Sequence, residues 1–250
     1  MKHSWEFSCS LMEQCPDFAQ TDWYNPFGKG EIPVQGRCWN EEIGAKYHRL
    51  PDRAEKVVRK ALWDLSCQSA GLYIKFKTNA SKIQVKYTVT SGFSMPHMPA
   101  TGVSGVDLYM KDADGQALWC AGKYSFLGDT VRYTYDNLTY RRQSDKGNEF
   151  CLYLPLYNGV NLMEIGVPAG SHFEFAAPSK KKPVVIYGTS IAQGACASRP
   201  GMAWTNILQR KLDFPVVNLG FSGNGRLEEE FFRLLAETAK ARRGTRRRSE

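Results

Sequence analysis

The sequence predicts a multidomain protein in which a β-rich domain precedes an α/β domain. Between residues 71 and 167, short segments alternate apolar and polar residues, which is typical of strands that bury one face. After Pro183, short continuous apolar runs flank a stretch of helical periodicity, which is typical of a parallel sheet covered by helices. With 250 residues and 42% hydrophobic composition, the chain is long enough to fold as two modest domains.

The first domain, at residues 23–177, is predicted to be a jelly-roll-like β-sandwich. Alternation is clearest at 72–77 and 82–89. Further strands are predicted at 106–110, 117–120, 130–135, 150–156 and 162–167. Glycine- and asparagine-rich turns separate these short strands, as in a sandwich.

Three segments around these strands have other patterns. Residues 1–22 show no clear periodicity and are expected to form a partly disordered arm. Apolar residues at helical spacing predict a helix at 54–65. The long loop at 94–102 is rich in Pro and Met, so it is interpreted as a lid or wall over a site, with an ordinary sandwich loop as the alternative.

A strand–helix–strand–helix succession predicts the α/β domain at 183–237, after a polar linker at 178–182. Its strands lie at 184–187 and 216–219, its first helix at 201–212, and its second helix begins near Arg226. Such a unit has two parallel strands joined by a right-handed crossover. Because the strands are parallel, both end at the same edge of the sheet. The glycine-rich loops that follow them should therefore be neighbours at the edge where open α/β sheets bind ligands.

These two loops, GTSIAQG at 188–194 and NLGFSGNGRLE at 218–228, resemble those of the SGNH hydrolases, also called GDSL esterases. Ser190 stands at the family's nucleophile, after Thr189 where many members have Asp, and Gly223 stands at a glycine whose N–H joins the oxyanion hole. GVDLY at 105–109 resembles the GxDLY segment of the β-rich domain that precedes the hydrolase in one bacterial branch. The resemblance spans about 23–237 and implies a three-layer α/β/α domain.

The resemblance implies a serine esterase that removes acyl groups, such as acetyl from carbohydrate, and that needs no metal or organic cofactor. Ester cleavage requires a nucleophile, a base, and donors aimed at the developing oxyanion. The Ser190 hydroxyl would attack, and the N–H groups of Ser190 and Gly223 would bind the oxyanion. Thr189, Asn224 and His97 are candidate substrate contacts. The structural alternative for Ser190 is a serine that caps the next helix.

The same comparison predicts an incomplete catalytic set. The family's third-block asparagine and its Asp-x-x-His have no counterpart in this sequence, so the hydrolase domain is expected to be incomplete and its activity impaired. All four histidines precede Ser190: His3, His48, His97 and His172. A surrogate base from His48 or His97 is one hypothesis, and ordinary surface or core histidines are the alternative.

The charge of +8 is concentrated in an Arg-rich tail at 238–250, which has six basic residues and one acid. The tail is interpreted as a disordered end, a nucleic-acid patch, or an out-of-frame segment, and we favour the last because the composition changes within a domain. A nucleic-acid partner is not favoured, and neither glycine loop fits a dinucleotide or P-loop motif. The second functional hypothesis is a non-catalytic sandwich that binds carbohydrate or protein beside a degenerate hydrolase remnant.

Other features bound the environment of the protein. Seven cysteines without a C-x-x-C pair argue against a disulfide scaffold or a zinc site. No membrane span or signal peptide is visible, and the compartment is left open. A parallel sheet with only two strands should expose an apolar edge, which predicts self-association.

Overall fold

The computed structural model describes residues 20–28, 30, 32–138 and 144–244. The strands are β1 Thr21–Tyr24, β2 Val34–Gln35, β3 Tyr73–Thr78, β4 Ile83–Val89, β5 Asp107–Lys111, β6 Ala117–Cys120, β7 Gly122–Ser125, β8 Val131–Tyr135, β9 Asn148–Tyr153, β10 Val160–Pro168, β11 Phe173–Phe175, β12 Val184–Gly188 and β13 Val216–Gly220. The helices are α1 Asn40–Ile43, α2 Lys60–Ser66, α3 Ala100–Val103, α4 Ser190–Gln193, α5 Trp204–Leu212 and α6 Glu229–Gly244, with 3-10 helices at Asp52–Lys56 and Pro200–Met202.

Two antiparallel sheets form the sandwich and confirm the predicted fold class. One sheet has the order β1-β10-β4-β8-β7, and the other has the order β11-β3-β9-β5-β6, with β2 beside β11 on the outer edge of β3. Alternate side chains of both sheets meet in one apolar core. Its members include Ile74, Phe76, Val85, Tyr87, Leu108, Met110, Val131, Leu152 and Ile165.

Strand β5 faces both parts of the protein because successive strand residues point to opposite sides. Leu108 and Met110 belong to the sandwich core. Tyr109 lies on the other face, where it packs with Tyr153. The Arg210 guanidinium of α5 lies 3.8 Å from the centre of the Tyr109 ring. The GVDLY segment therefore joins the sandwich to the α/β part.

Asp107, on the same face of β5 as Tyr109, is a buried anchor for the segment before α5. One carboxylate oxygen accepts a hydrogen bond from the Trp119 indole at 2.7 Å, and the other accepts from the Gly201 N–H at 2.9 Å. Arg199 Nε lies 3.1 Å from that second oxygen, but outside hydrogen-bond geometry. Gly201 has no space for a side chain, since a Cβ there would lie 2.3 Å from the Tyr109 ring.

The α/β part contains a parallel pair in which β12 and β13 align from Val184↔Val216 to Gly188↔Gly220. Every residue of β13 is buried. Its apolar side chains pack with α6 and with a segment that precedes the sandwich strands β3 and β4. The members of this second core include Trp39, Leu50, Leu62, Val217, Leu219, Phe231 and Leu234.

Arg49 binds the backbone of β13 on the side away from β12. Its fully buried guanidinium donates to the carbonyls of Gly220 at 2.5 Å and Asn218 at 3.4 Å. It also donates to the carbonyls of Leu65 at 2.5 Å and Gln68 at 2.9 Å, at the end of α2. Burial lowers the pKa of Arg49 to about 9, so the group remains charged at neutral pH. The arginine takes the place of a neighbouring strand.

The other edge of the parallel pair is open. Within the described ranges, β12 pairs with β13 alone. Val184 is 42% exposed and Val185 is 38% exposed. These observations match the uncovered apolar edge that the sequence predicted.

Several predicted boundaries are wrong in detail. The helix expected at 54–65 is divided into the 3-10 helix Asp52–Lys56 and α2. The apolar side chains of both short helices pack into the core around β13, so this segment does not form one continuous amphipathic helix. The arm expected at 1–22 overlaps β1, which pairs with β10, and residues 1–19 lie outside the described residues. Helix α6 extends into the predicted tail as far as Gly244, since Ala, Lys and Arg are good helix formers, and the rest of the tail, 245–250, lies outside the described residues. Strands β1, β2, β7 and β11 were not predicted, because they are short or lack clear alternation.

Replacing Arg49 by Met should lower the free energy of unfolding by about 3 kcal/mol, because four buried carbonyls lose a donor. Urea denaturation measures this change. The matched control is Arg53→Met, which removes an exposed arginine paired with Glu42 and Glu237 and should cost less than about 1 kcal/mol. Equal losses in the two variants would contradict the assigned role of Arg49.

Burial raises the pKa of Asp107 to about 6, against the opposing effects of the Trp119 hydrogen bond and the Arg199 charge. This pKa exceeds the value of about 3.9 expected in the unfolded chain, so the native state takes up the proton first as the pH falls. Between pH 7 and pH 5, the free energy of unfolding of the wild type should therefore rise by about 1 kcal/mol relative to Asp107→Asn. If the free energies of unfolding of the two proteins changed equally between pH 7 and pH 5, this titration of Asp107 would be excluded.

Candidate active site

Ser190 lies where β12 gives way to α4. The strand ends at Gly188, and exposed Thr189 occupies the N-cap position without a side-chain capping bond. Ser190 is the first helical residue, so its N–H has no partner within the helix. The half-buried Ser190 hydroxyl forms no hydrogen bond within the part of the chain that the structure describes. This serine is therefore not engaged as a helix cap.

The two glycine-rich loops are neighbours, as their positions after parallel strands predicted. The Phe221 N–H donates to the Gly188 carbonyl at 2.8 Å. A Cβ on Gly225 would lie 2.2 Å from that same carbonyl oxygen, and one on Gly220 would lie 2.1 Å from the Gln193 nitrogen. The loops pack backbone against backbone, which only glycine permits at these positions.

Gly223 lies at the exposed turn of the second loop, with φ +65° and open space around its Cα. The N–H groups on either side of it are used: Ser222 donates to Gln193 Oε1 at 2.8 Å, and Asn224 donates to the Phe221 carbonyl at 2.8 Å. The Gly223 N–H has no acceptor among the described residues. It is therefore available, like that of Ser190, to bind an anionic oxygen.

Two buried amide side chains hold the loops in place, and the sequence reasoning did not select either. Gln193 accepts from the Ser222 N–H and donates to the Leu156 carbonyl at 3.1 Å. Asn218 donates to the Ala192 carbonyl and accepts from the Gly220 N–H, each at 2.8 Å. A polar residue inside the apolar run VVNLG was the available signal for Asn218, because a buried amide requires partners.

Asn224, a candidate substrate contact, is held by residues of the protein. Its Oδ1 accepts from Arg59 Nη1 at 2.9 Å, and its Nδ2 donates to the Ser222 carbonyl at 3.0 Å. Arg59 also forms an ion pair with Glu228 at the start of α6. Both ends of the Asn224 amide are thus occupied, and this residue serves to fix the second loop.

The loop predicted at 94–102 is shorter than expected, because α3 begins at Ala100. This segment packs beside the residues that follow Ser190. Met98 shares a small apolar cluster with Tyr157 and Ala203, and Ala195 and Ala197 pack against it. Thr101 Oγ1 donates to the Ser198 carbonyl at 2.7 Å. The role of this segment as a wall over the site stays a prediction. His97 is exposed in the Met95–Met98 turn.

Tyr157 is a further residue at this junction. Its side chain is buried, and its hydroxyl lies 3.5 Å from the Ser190 carbonyl oxygen. Burial raises the pKa of Tyr157, and the Ser222 side chain acts in the opposite direction. Tyr157 therefore lies against the backbone of the first loop.

The histidines do not engage Ser190. His48 packs edge-on against Trp63 at 6.0 Å, and burial followed by the Lys46 charge lowers its pKa. His172 lies 3.6 Å from Glu174 on the sandwich. In the described chain, neither of these residues nor His97 forms a hydrogen bond with Ser190, and His3 lies outside the described residues.

The described residues contain no group of three or more His, Cys, Asp and Glu side chains placed to hold a metal ion. No helix among them has both the length and the apolar character needed to cross a membrane.

Two family models match the chain. Residues 21–173 match the GxDLY domain, described as the N-terminus of SGNH-hydrolase-type esterases. Residues 181–242 match the GDSL-like lipase/acylhydrolase family. The resemblance inferred from the glycine loops and from GVDLY is therefore confirmed. No curated protein sequence matches the chain.

Solved structures show the same architecture. A candidate GDSL-like lipase from Bacteroides ovatus is 33% identical, covers 87% of this chain, and superposes with a TM-score of 0.76. A salicylyl-acyltransferase from a tetracycline biosynthetic pathway is 20% identical, covers 86% of this chain, and has a TM-score of 0.60, which shows a shared fold. The present chain spans 61% and 58% of the lengths of these two proteins.

Proposed function

We propose an activity for this chain, which belongs to the SGNH-hydrolase-type esterases that carry a GxDLY N-terminal domain. The proposed activity is hydrolysis of an acyl ester, with acetyl esters of carbohydrate as the substrate class. The observation that carries the proposal is the Ser190 hydroxyl just after β12, which has no hydrogen-bond partner among the described residues and lies beside a glycine loop whose Gly223 N–H has no acceptor among them.

In the proposed reaction, the Ser190 Oγ attacks the ester carbonyl and forms a tetrahedral intermediate. The N–H groups of Ser190 and Gly223 bind its oxyanion, which they are free to do because neither has an acceptor among the described residues. The serine proton passes to the departing alkoxide, so the alcohol leaves and an acyl-serine remains. Water then hydrolyses this ester, which releases the acid and restores the Ser190 hydroxyl. Among the described residues, no histidine forms a hydrogen bond with Ser190 to carry the proton.

Exposed apolar side chains beside Ser190 support a place for the acyl group. Ile191 is 76% exposed and Trp204 is 44% exposed. The Trp204 indole donates to the Ile191 carbonyl at 2.8 Å, which fixes the two residues next to each other. A short acyl chain could remove part of this apolar surface from water on binding.

Hydrolysis of p-nitrophenyl acetate by the purified 250-residue chain, compared with Ser190→Ala, tests the nucleophile. Loss of the hydroxyl should reduce kcat/KM by about 10³-fold or more, because no acyl-serine can form. The matched control is Ser222→Ala in the second loop, which should retain activity within about tenfold. Equal activity of Ser190→Ala and the wild type would refute the assignment, and an inactive folded wild type would favour the non-catalytic alternative.

We also propose that copies of this chain associate through the open edge of β12. The unpaired strand and the exposed Val184 and Val185 side chains support this partner. Light scattering during size-exclusion chromatography should show a dimer or larger species, and Val185→Lys should shift it toward monomer. Val57→Lys, at a residue 47% exposed elsewhere, is the control. A monodisperse wild-type monomer would contradict the proposal.

A further inference from the structure

A second cleft lies at the edge of the sandwich, where β6 of one sheet leads into β7 of the other. Its volume is about 250 Å³, which suits a single six-membered ring better than a longer ligand. The side chains that matter for its chemistry are Trp119, Tyr124, Tyr135, Asp107 and Arg199. None of them has a role in the proposed ester chemistry.

Two aromatic side chains form exposed walls of this cleft. Trp119 is 50% exposed and Tyr124 is 56% exposed. The Trp119 ring is held rigidly, since its indole N–H donates to Asp107 and the Arg199 guanidinium lies 4.2 Å from the ring centre. Rigid aromatic surface in a concave site is typical of ligand binding, because little conformational entropy is lost on contact.

Tyr135 lines the cleft and has a hydroxyl without a partner among the described residues. Tyr135 is only 2% exposed, and its buried hydroxyl forms no hydrogen bond among the described residues. Burying a hydroxyl in this way is unfavourable. A ligand with a hydroxyl group in the cleft would supply the missing bond, so the unpaired group points to a polar ligand.

The charges of the cleft favour a neutral ligand. Arg199 and Asp107 form an ion pair, so each largely cancels the charge that the other would offer to a ligand. An anionic ligand would compete with Asp107 for Arg199, and a purely apolar ring would leave the Tyr135 hydroxyl unpaired. A sugar ring meets both conditions, because it presents apolar C–H faces and a rim of neutral hydroxyl groups.

We propose that this cleft binds one saccharide ring, with its C–H face on Trp119 and Tyr124 and a ring hydroxyl bonded to Tyr135. The segment after α4 contributes Ser198 and Arg199 to the cleft, so the cleft and Ser190 lie on one continuous stretch of chain. That the bound sugar is the carbohydrate part of the substrate rests on the proposed function. The binding itself does not, and it can be measured without turnover.

Isothermal titration calorimetry of the full chain with the methyl β-glycosides of glucose, galactose and xylose tests the site. At least one glycoside should bind with a dissociation constant of about 0.1–10 mM. Tyr124→Ala should weaken this binding at least tenfold through loss of an exposed wall, and Tyr135→Phe should weaken it about fivefold through loss of one hydroxyl. Both changes leave the Asp107 anchor intact.

Matched controls separate binding from general effects on the fold. Tyr47→Phe removes another buried hydroxyl that lacks a partner, and Trp23→Ala removes an aromatic side chain that is 36% exposed on β1. Both should bind the glycoside like the wild type. Cyclohexanol and sodium benzoate should bind at least tenfold more weakly than the glycoside.

Three outcomes would overturn the proposal: no binding of any glycoside, binding unchanged by Tyr124→Ala and Tyr135→Phe, or preference for cyclohexanol or benzoate. Glycoside binding in a protein that does not hydrolyse esters would refute the proposed function and leave the cleft assignment standing. Ester hydrolysis without glycoside binding would refute the cleft assignment and leave the proposed function standing.

Discussion

The structure depends on one buried carboxylate at the junction of its two parts. Asp107 extends from a sandwich strand and accepts hydrogen bonds from Trp119, in the next strand, and from the backbone of Gly201, before α5. A buried carboxylate is stable only when donors surround it, so the α/β part must supply the Gly201 N–H in the right place. The carboxylate therefore positions the segment that runs from Ser190 to α5, and it also orients the aromatic wall of the second cleft.

The sequence contained enough information for the sandwich, the parallel pair and the proximity of the glycine loops. Alternation at 72–77 and 82–89 reflects burial on one face, and that pattern survives in the structure as β3 and β4. The loops could be predicted as neighbours because parallel strands end at the same edge of a sheet. Ser190 could be selected because a small polar residue follows a buried strand there.

The contacts between distant segments could not be predicted from the sequence. Nothing in the local pattern distinguishes Arg49, which is fully buried, from Arg53, which is 44% exposed. The segment at 54–65 has helical spacing, but its shape is decided by packing on β13, which lies more than 150 residues later. Similarly, the unpaired hydroxyl of Tyr135 becomes visible only when the surrounding side chains are in place.

The hydrogen bond from Arg49 to Gly220 joins residues 171 positions apart, and this separation has a consequence for how the protein is made. During synthesis, the arginine leaves the ribosome long before its two carbonyl acceptors on β13 exist. The segment that carries it must wait, with apolar side chains such as Trp39 and Leu62 uncovered, until β13 has been translated. Folding of the second core is thus a late step with a high entropic cost of closing the chain. Chaperones would be needed most during this interval, which includes the synthesis of the sandwich strands β3 to β11.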